Sequence, residues 1–307
     1  MEKLFYEYFD EWVDNYKAGT VAQVTLEKYK NNTRRIRELA PDMKMGDLNR
    51  SSYQNLINKF AETHEETTVR DFHHHLRSCL LDAFDDGVIE RDPTRKTVIK
   101  GCMAKRKKKP KFLGQEELQK LMSVLELGDR PNTDWFIWLI AKTGARFSEA
   151  LALTAGDFDF VNRKLKICKT WDYKHHGGFT PTKNKSSNRM VELDWETIAR
   201  FSVLLKGMEP EQMVFVEEGK DIYSTTYNDR LERLCRKAGV KVISMHGLRH
   251  THASVLFAAG VSIPSVAKRL GHSNTATTQK VYLHVITELE RKDNSLIQGV
   301  VAGITAR

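Results

Sequence analysis

The stretch His246-Gly247-Leu248-Arg249-His250-Thr251-His252 places three histidines and an arginine within seven residues. His246 and Arg249 are three residues apart, so on a helix their side chains face the same way. A histidine that transfers a proton would then stand beside a fixed positive charge. The i, i+4 histidines also suggest a metal, but Gly247 stands where the zinc pattern His-Glu-x-x-His has glutamate, which argues against zinc. The other two histidines are also compatible with satisfied positions in a helix.

A second group of reactive residues follows in Leu270-Gly271-His272 and, ten residues later, at Tyr282. Gly271 is expected to end a helix, with His272 in the connection and Thr275 as the cap of the next helix. Tyr282 would then lie about two turns into that helix. A tyrosine hydroxyl can attack phosphorus and form a covalent intermediate, although a tyrosine at this position also suits a core.

The stretch Thr143-Gly144-Ala145-Arg146-Phe147-Ser148-Glu149-Ala150-Leu151 lies upstream of both groups. Gly144 is expected to break one helix, so that Arg146 stands at the N-terminus of the next, where backbone N–H groups favour an anion. An arginine there can clamp a phosphate through two hydrogen bonds. The alternative is a surface salt bridge.

Taken in order, these stretches resemble the tyrosine recombinase (phage integrase) family. The resemblance runs from Gly144 to Leu151 and from His246 to His284, and it includes the apolar and glycine positions between the reactive ones. It implies a mainly α fold with a small antiparallel β-sheet (α+β). A helical core-binding domain and a mixed α/β catalytic domain would form a C-shaped clamp on DNA.

The resemblance also implies the role of each site residue. The catalytic set would be Arg146, Lys183, His246, Arg249, His272 and Tyr282. The two arginines would hold the scissile phosphate and both histidines would bond to it, with His246 also accepting the proton of the nucleophile. Tyr282 would form the 3′-phosphotyrosine link. Lys183, in a turn between two predicted strands, would protonate the leaving 5′-oxygen, and Lys185 is the competing candidate.

This set supplies positive charge, an in-line nucleophile and an acid for the leaving group. The sequence has no convincing carboxylate cluster for magnesium and no Gly-x-x-x-x-Gly-Lys loop. We therefore expect no cofactor, no metal and no ATP.

Apolar residues at helical spacing predict a small four-helix domain over residues 1–100, and the resemblance implies that it is a SAM-like core-type DNA-binding domain. Its first helix would contain Leu4–Tyr16. Thr25 is the expected N-cap of the second helix. Ser51 or Ser52 is expected to open the third helix, and Thr67 or Thr68 the fourth. Since that first helix resembles the start of the core-binding domain, we expect no additional arm-binding domain, and therefore either a two-domain type or a trimmed chain.

An interdomain linker is expected over residues 101–111. Its basic residues are Lys105, Arg106, Lys107, Lys108, Lys109 and Lys111. Such a run cannot enter a core and resists a helix through self-repulsion. Two interpretations stay open: a solvated linker or localisation-like patch, and a tether along a phosphate backbone.

The catalytic domain is expected over residues 112–293. Helices are predicted at about 115–127, 133–142, 195–206, 224–238, 247–259, 263–270 and 275–290. A half-buried strand is predicted within 157–170, and two more within 179–193 around the polar turn Thr182–Ser187. The mildly apolar tail 294–307 would dock on a neighbouring protomer or pack on its own domain.

Composition is consistent with this picture. The 307 residues include 49 Lys plus Arg against 40 Asp plus Glu, a net charge of +9 that favours a polyanionic partner. The chain shows no apolar stretch of membrane-spanning length and no signal-peptide pattern. Its four cysteines also lie far apart, so these features together indicate a reduced, cytoplasmic protein without membrane association. The resemblance implies that the protein is bacterial.

We therefore expect a site-specific recombinase, the integrase of a phage or bacterial mobile element. A homotetramer would act on two double-stranded DNA sites through a Holliday junction, with a possible accessory DNA-bending or directionality factor. The alternatives are a type IB-like topoisomerase, a catalytically idle DNA-binding regulator and a histidine-metal nuclease. The complete catalytic set argues against the idle regulator.

Overall fold

The computed structural model describes residues 2–102, 112–175, 177–182, 184–217, 219–276 and 278–279. The chain divides into two units, Met1–Lys108 and Lys109–Arg307. Most described elements are helices, and the strands form small antiparallel sheets. The predicted mainly α fold with a small β component is therefore confirmed. The boundaries assigned to domains, linker and tail stay predictions, and the basic linker residues and the tail lie outside the described residues.

The N-terminal unit contains the helices α1 (Phe5–Tyr16), α2 (Gln23–Leu39), α3 (Arg50–Ala61) and α4 (Glu66–Asp85). Large side chains repeat every three or four residues and meet in one apolar core. Phe9, Tyr53 and Leu76 are fully buried within it. The predicted stripe of the first helix is thus the inner face of α1.

The expected cap of α2 is wrong, and α3 and α4 each begin one or two residues before the residues expected to open them. Asn49 caps α3, because its Oδ1 accepts the N–H groups of Ser51 and Ser52 at 2.9 and 3.0 Å. The Ser52 Oγ in turn accepts the Asn49 N–H at 3.0 Å, which closes a capping box. Thr25 lies inside the first turn of α2, since its N–H already bonds to a carbonyl of the helix start. The threonines near the start of α4 lie inside its first turn in the same way.

The C-terminal unit is built around one buried helix. Its helices are α5 (Gln115–Ser123), α6 (Thr133–Thr143), α7 (Phe147–Leu151), α8 (Trp195–Leu204), α9 (Ser224–Lys237), α10 (Met245–Ala258) and α11 (Ile263–Leu270). Every residue of α6 from Asp134 to Ala141 is buried, which explains its apolar sequence. The helix α10 packs against α6 and thereby places the motif that begins at His246 next to the motif that follows α6.

The strands of this unit form two sheets. They are β1 (Phe158–Asp159), β2 (Lys164–Ile167), β3 (Lys169–Trp171), β4 (Phe179–Pro181) and β5 (Arg189–Glu192). One sheet has the order β1-β2-β5 and the other pairs β3 with β4, all antiparallel. The two strands predicted around the turn 182–187 therefore do not pair with each other. Instead β5 pairs with β2, so that Ile167 lies opposite Arg189.

Among the described residues, no helix is long and apolar enough to span a membrane.

Candidate active site

The structure describes Arg146, His246, Arg249 and His272 of the predicted catalytic set. Lys183 and Tyr282 lie outside the described residues. The competing lysine, Lys185, is exposed and opens a short 3₁₀ turn, Lys185–Ser187.

Arg249 is the central cation of the described site. It lies in the second turn of α10 and is only 3% exposed. Its Nη1 donates to the Gly144 carbonyl at 2.7 Å and its Nη2 donates to the Leu270 carbonyl at 2.6 Å. The guanidinium therefore ties α10 to the ends of α6 and α11.

Two glycines end those helices, as the sequence predicted. Gly144 and Gly271 have φ values of 68° and 69°, the left-handed conformation that closes a helix and favours glycine. The space around them is also filled. A Cβ at Gly144 would lie 2.7 Å from the ring of His252, and one at Gly271 would lie 2.9 Å from Nη1 of Arg189. Both the left-handed backbone and the lack of space for a Cβ therefore favour glycine at these two positions.

Arg146 is the N-cap residue of α7, at the position the sequence predicted. Its backbone N–H and its Nη1 donate to the two carboxylate oxygens of Glu149, at 2.9 and 2.6 Å. Its Nη2 donates to the Gly271 carbonyl at 3.4 Å, and the side chain is 32% exposed. Arg146 thus forms a salt bridge and still reaches the surface of the site.

Glu149 is a buried carboxylate held between two arginines. Burial alone would raise its pKa, but the hydrogen bond and charge of Arg189 and the charge of Arg146 lower the pKa to about 2. The carboxylate is therefore ionised across the physiological pH range.

The two histidines of the site are both in a positively charged environment. Loss of solvation lowers the pKa of His246, and the charges of Arg249 and Arg146 lower it further. Burial lowers the pKa of His272 to about 4, again with a contribution from both arginines. Nδ1 of His272 lies 2.6 Å from the Thr278 hydroxyl. If that hydroxyl donates, the ring proton sits on Nε2, which can then donate to an anion.

The other two histidines of α10, His250 and His252, contact neighbouring protein groups. His252 is buried, bonds to the Ala141 carbonyl through Nδ1 at 2.9 Å, and accepts from Nε of Arg269 at 2.9 Å. The interpretation of His252 as a satisfied helix residue is confirmed. The ring of His250 contacts that of His246 edge to face, with centroids 4.7 Å apart. Within the described ranges, no group of three or more His, Cys, Asp or Glu side chains could hold a metal ion.

The helix after His272 begins at Thr275, and its cap differs from the prediction. The Oδ1 of Asn274 accepts the Ala276 N–H at 2.8 Å, so Asn274 rather than Thr275 supplies the capping side chain.

The arrangement suits a phosphate ester. Arg249 bonds to the carbonyl of Leu270 and Arg146 bonds to that of Gly271, two consecutive groups directly before His272. Two guanidinium groups and the imidazole of His272 therefore meet at one segment. Such groups can bind the oxygens of a phosphodiester and stabilise negative charge as it develops there.

Sequence reasoning missed Arg189, whose side chain is 5% exposed and pairs with Glu149 at 2.9 Å. The i, i+3 spacing of Arg146 and Glu149 was a usable signal for the carboxylate. Nothing in the local sequence of β5 distinguishes Arg189, because its partners lie about 40 and 80 residues away.

The model of the phage integrase family matches residues 111–288, and that of the phage integrase N-terminal SAM-like domain matches residues 4–61. The chain belongs to the phage integrase family. As a member it is a tyrosine recombinase by enzyme class. The recognition made from the motifs is thereby confirmed.

Similar proteins include a tyrosine recombinase XerC-like protein of Caldanaerobacter subterraneus, 26% identical over 80% of this chain and 69% of that protein. The integrase of Staphylococcus phage L54a is 22% identical over 97% of this chain and 93% of the phage protein. Among solved structures, the Tn1549 transposon integrase in complex with a circular intermediate DNA has a TM-score of 0.76 at 17% identity. The match covers 94% of this chain and 99% of the Tn1549 integrase chain. At that identity the structural likeness establishes the integrase fold.

Proposed function

We propose that this phage-integrase-family protein is a site-specific DNA recombinase that cleaves and rejoins strands through a 3′-phosphotyrosine link at Tyr282. The observation that carries the proposal is the bonding of Arg146 and Arg249 to consecutive carbonyls directly before His272. The same backbone segment leads on to the tyrosine, ten residues after that histidine.

In the proposed cleavage step, the Tyr282 hydroxyl attacks phosphorus and gives its proton to His246, whose lowered pKa keeps the ring neutral and able to accept it. Arg146 and Arg249 stabilise the charge on the non-bridging oxygens, and His272 donates a hydrogen bond to one of them. Lys183 gives a proton to the 5′-oxygen as the P–O bond to the leaving strand breaks. Attack by a 5′-hydroxyl of the partner strand reverses these steps.

This chemistry needs neither a metal nor ATP, because the phosphotyrosine keeps the energy of the broken phosphodiester. The proposed assembly is a homotetramer on two double-stranded DNA sites, which exchanges strands through a Holliday junction in a bacterial cytoplasm. Accessory DNA-bending or directionality factors belong to the same proposal. The basic run 105–111 would follow the DNA backbone, and the tail 294–307 would dock on a neighbouring protomer.

The direct test uses a labelled duplex taken from the DNA that flanks the coding sequence, nicked so that the cleaved fragment diffuses away. We expect the wild-type protein to form a covalent adduct that survives a denaturing gel and the addition of a chelator. Tyr282→Phe should form none, whereas the matched control Tyr223→Phe, which alters an exposed tyrosine, should behave as wild type. An adduct with Tyr282→Phe contradicts the assignment of the nucleophile.

A second assay separates recombination from relaxation. Two copies of the site should yield Holliday junctions, visible as branched DNA on a native gel. Relaxation of supercoiled plasmid without any junction would favour a topoisomerase instead.

A further inference from the structure

Arg189 contacts three separate segments of the site although it belongs to none of the reactive motifs. Its Nη2 donates to Oε2 of Glu149 at 2.9 Å, its Nε to the Arg269 carbonyl at 2.7 Å and its Nη1 to the Ser187 carbonyl at 2.9 Å. All three nitrogens of the guanidinium are thus bonded.

We propose that Arg189 is a positioning residue of the recombination site, which holds Arg146, the turn Lys185–Ser187 and the segment before His272 in register with one another. This inference rests on the proposed function.

The first contact acts on the charge of Arg146. Glu149 offers one carboxylate to two arginines, Oε1 to Arg146 and Oε2 to Arg189. The three side chains together carry a net charge of +1, so positive charge is left on the exposed Arg146. Without Arg189 the carboxylate would pair with Arg146 alone, and its charge would offset the one that a phosphate needs.

The second contact fixes the turn. Ser187 is 1% exposed, and while its carbonyl accepts from Arg189, its Oγ accepts from Nη1 of Arg146 at 3.5 Å. The two arginines therefore hold this turn from two directions. Both lysine candidates for the leaving-group acid lie within six residues of Arg189 in sequence.

The third contact reaches the segment that carries His272. The Arg269 carbonyl accepts from Nε of Arg189, and Gly271 lies so close that an added Cβ would be 2.9 Å from Nη1 and 3.1 Å from the Ser186 carbonyl. The guanidinium fills the space between this segment and the turn. A small displacement of Arg189 would therefore move both.

The test compares Arg189→Lys with the matched control Arg230→Lys. Arg230 also pairs with a buried carboxylate, that of Asp134, through two bonds at 2.8 and 2.7 Å, and it contacts none of the four described catalytic candidates. The measurements are Tm, the DNA concentration for half-saturation, and the single-turnover rate of adduct formation at saturating DNA, with the duplex described above.

We expect Arg189→Lys to slow adduct formation about 100-fold, because lysine keeps the charge but cannot make three directed bonds. The DNA concentration for half-saturation should stay within about 2-fold of wild type, since the Arg189 side chain does not touch DNA in this proposal. Arg230→Lys should lower Tm by about as much as Arg189→Lys does, but its rate of adduct formation should stay near that of wild type. Equal rates for the two variants would overturn the proposal, and so would a loss confined to DNA binding.

A second pair of variants keeps the proposal testable if Arg189→Lys does not fold. Gly271→Ala places a Cβ against the guanidinium, and Gly260→Ala imposes a comparable strain at φ 82° with no atom within 4 Å. Gly271→Ala should show the same selective loss of rate, whereas Gly260→Ala should lower Tm alone. A wild-type rate for Gly271→Ala would contradict the role of Arg189. If the wild-type protein itself forms no adduct, the proposed function fails instead.

Discussion

The two units of the chain bury different kinds of side chain. In the described part of the N-terminal unit the buried residues are almost all apolar, with Phe5, Phe9 and Trp12 in a row on α1. In the C-terminal unit a comparable apolar core surrounds α6, but Glu149 and Arg249 are buried beside it. The interior of the N-terminal unit is an apolar core. The interior of the C-terminal unit also contains the charged side chains that hold the candidate active site in place.

The difference concerns what burial achieves. Removal of apolar surface from water stabilises a fold by about 25 cal/mol for each Å². A buried ion pair loses solvation that its Coulomb attraction only partly restores, so it adds little stability while it fixes geometry. We therefore expect substitutions in the first interior to change stability alone, and those among the buried charges of the second to change cleavage in addition.

Arg249→Ala should show this separation most strongly. Loss of a buried cation aimed at the developing charge should reduce the rate of adduct formation by about 10³-fold or more. DNA binding should persist, because most of the contact with DNA is made elsewhere in this proposal. The checks are the single-turnover rate and a binding titration on the nicked duplex. Loss of binding with normal cleavage of the bound fraction would make Arg249 a clamp residue and remove the contrast.

Phe9→Ala should give the opposite result. Phe9 is completely buried, so its truncation should lower the free energy of unfolding by about 3 kcal/mol through lost burial and a cavity. The rate of adduct formation by the folded fraction should stay within about 3-fold of wild type. Val24→Ala, at a 41% exposed position, is the control and should cost less than about 0.5 kcal/mol. Urea unfolding and the single-turnover assay at low temperature test both values. A selective loss of cleavage would contradict the division of roles.

Acidification should affect a buried histidine in each unit. Burial and the charge of Arg269 lower the pKa of His252 to about 3, and burial lowers that of His73 to about 4. Unfolded histidine titrates near 6.5, so between these values the unfolded chain binds more protons and stability falls as the pH falls. Each histidine should contribute a slope of about 1.4 kcal/mol for each pH unit.

The measurement is urea unfolding from pH 7.5 to 4.5. His252→Gln and His73→Gln should each flatten the pH dependence, because the titrating group is gone. If the free energy of unfolding of either variant changes with pH as steeply as that of wild type, the replaced histidine is not a source of the pH dependence.

Features with a strong local cause were predictable from the sequence. The apolar run of α6 and the glycines that end α6 and α11 correspond to one helix and two left-handed caps. Arg146 and Arg249 were found because their motifs are short and ordered. The structure then places both arginines against the segment that precedes His272.

Features that depend on a choice between two similar local hydrogen-bond partners, or on residues distant in sequence, were not predictable. Asn49 and Ser52 could each cap α3, and the choice rests on hydrogen bonds worth about 1 kcal/mol. The pairing of β5 with β2 instead of β4 depends on contacts across the sheet, which a local pattern does not contain. Arg189 was missed for the same reason.

The main-chain bonds of Arg249 affect which sequence changes the site tolerates. The oxygens that accept its protons belong to the backbone of Gly144 and Leu270, so a substitution at Leu270 leaves the acceptor in place as long as the chain path is kept. The shortest side-chain bond of Arg146 is to the carboxylate of Glu149, and a single codon change at Glu149 removes it. Mutational drift should therefore be tolerated better at Leu270 than at Glu149, whereas Gly144 stays restricted by its own backbone conformation. A saturation library scored for recombination would display this asymmetry directly.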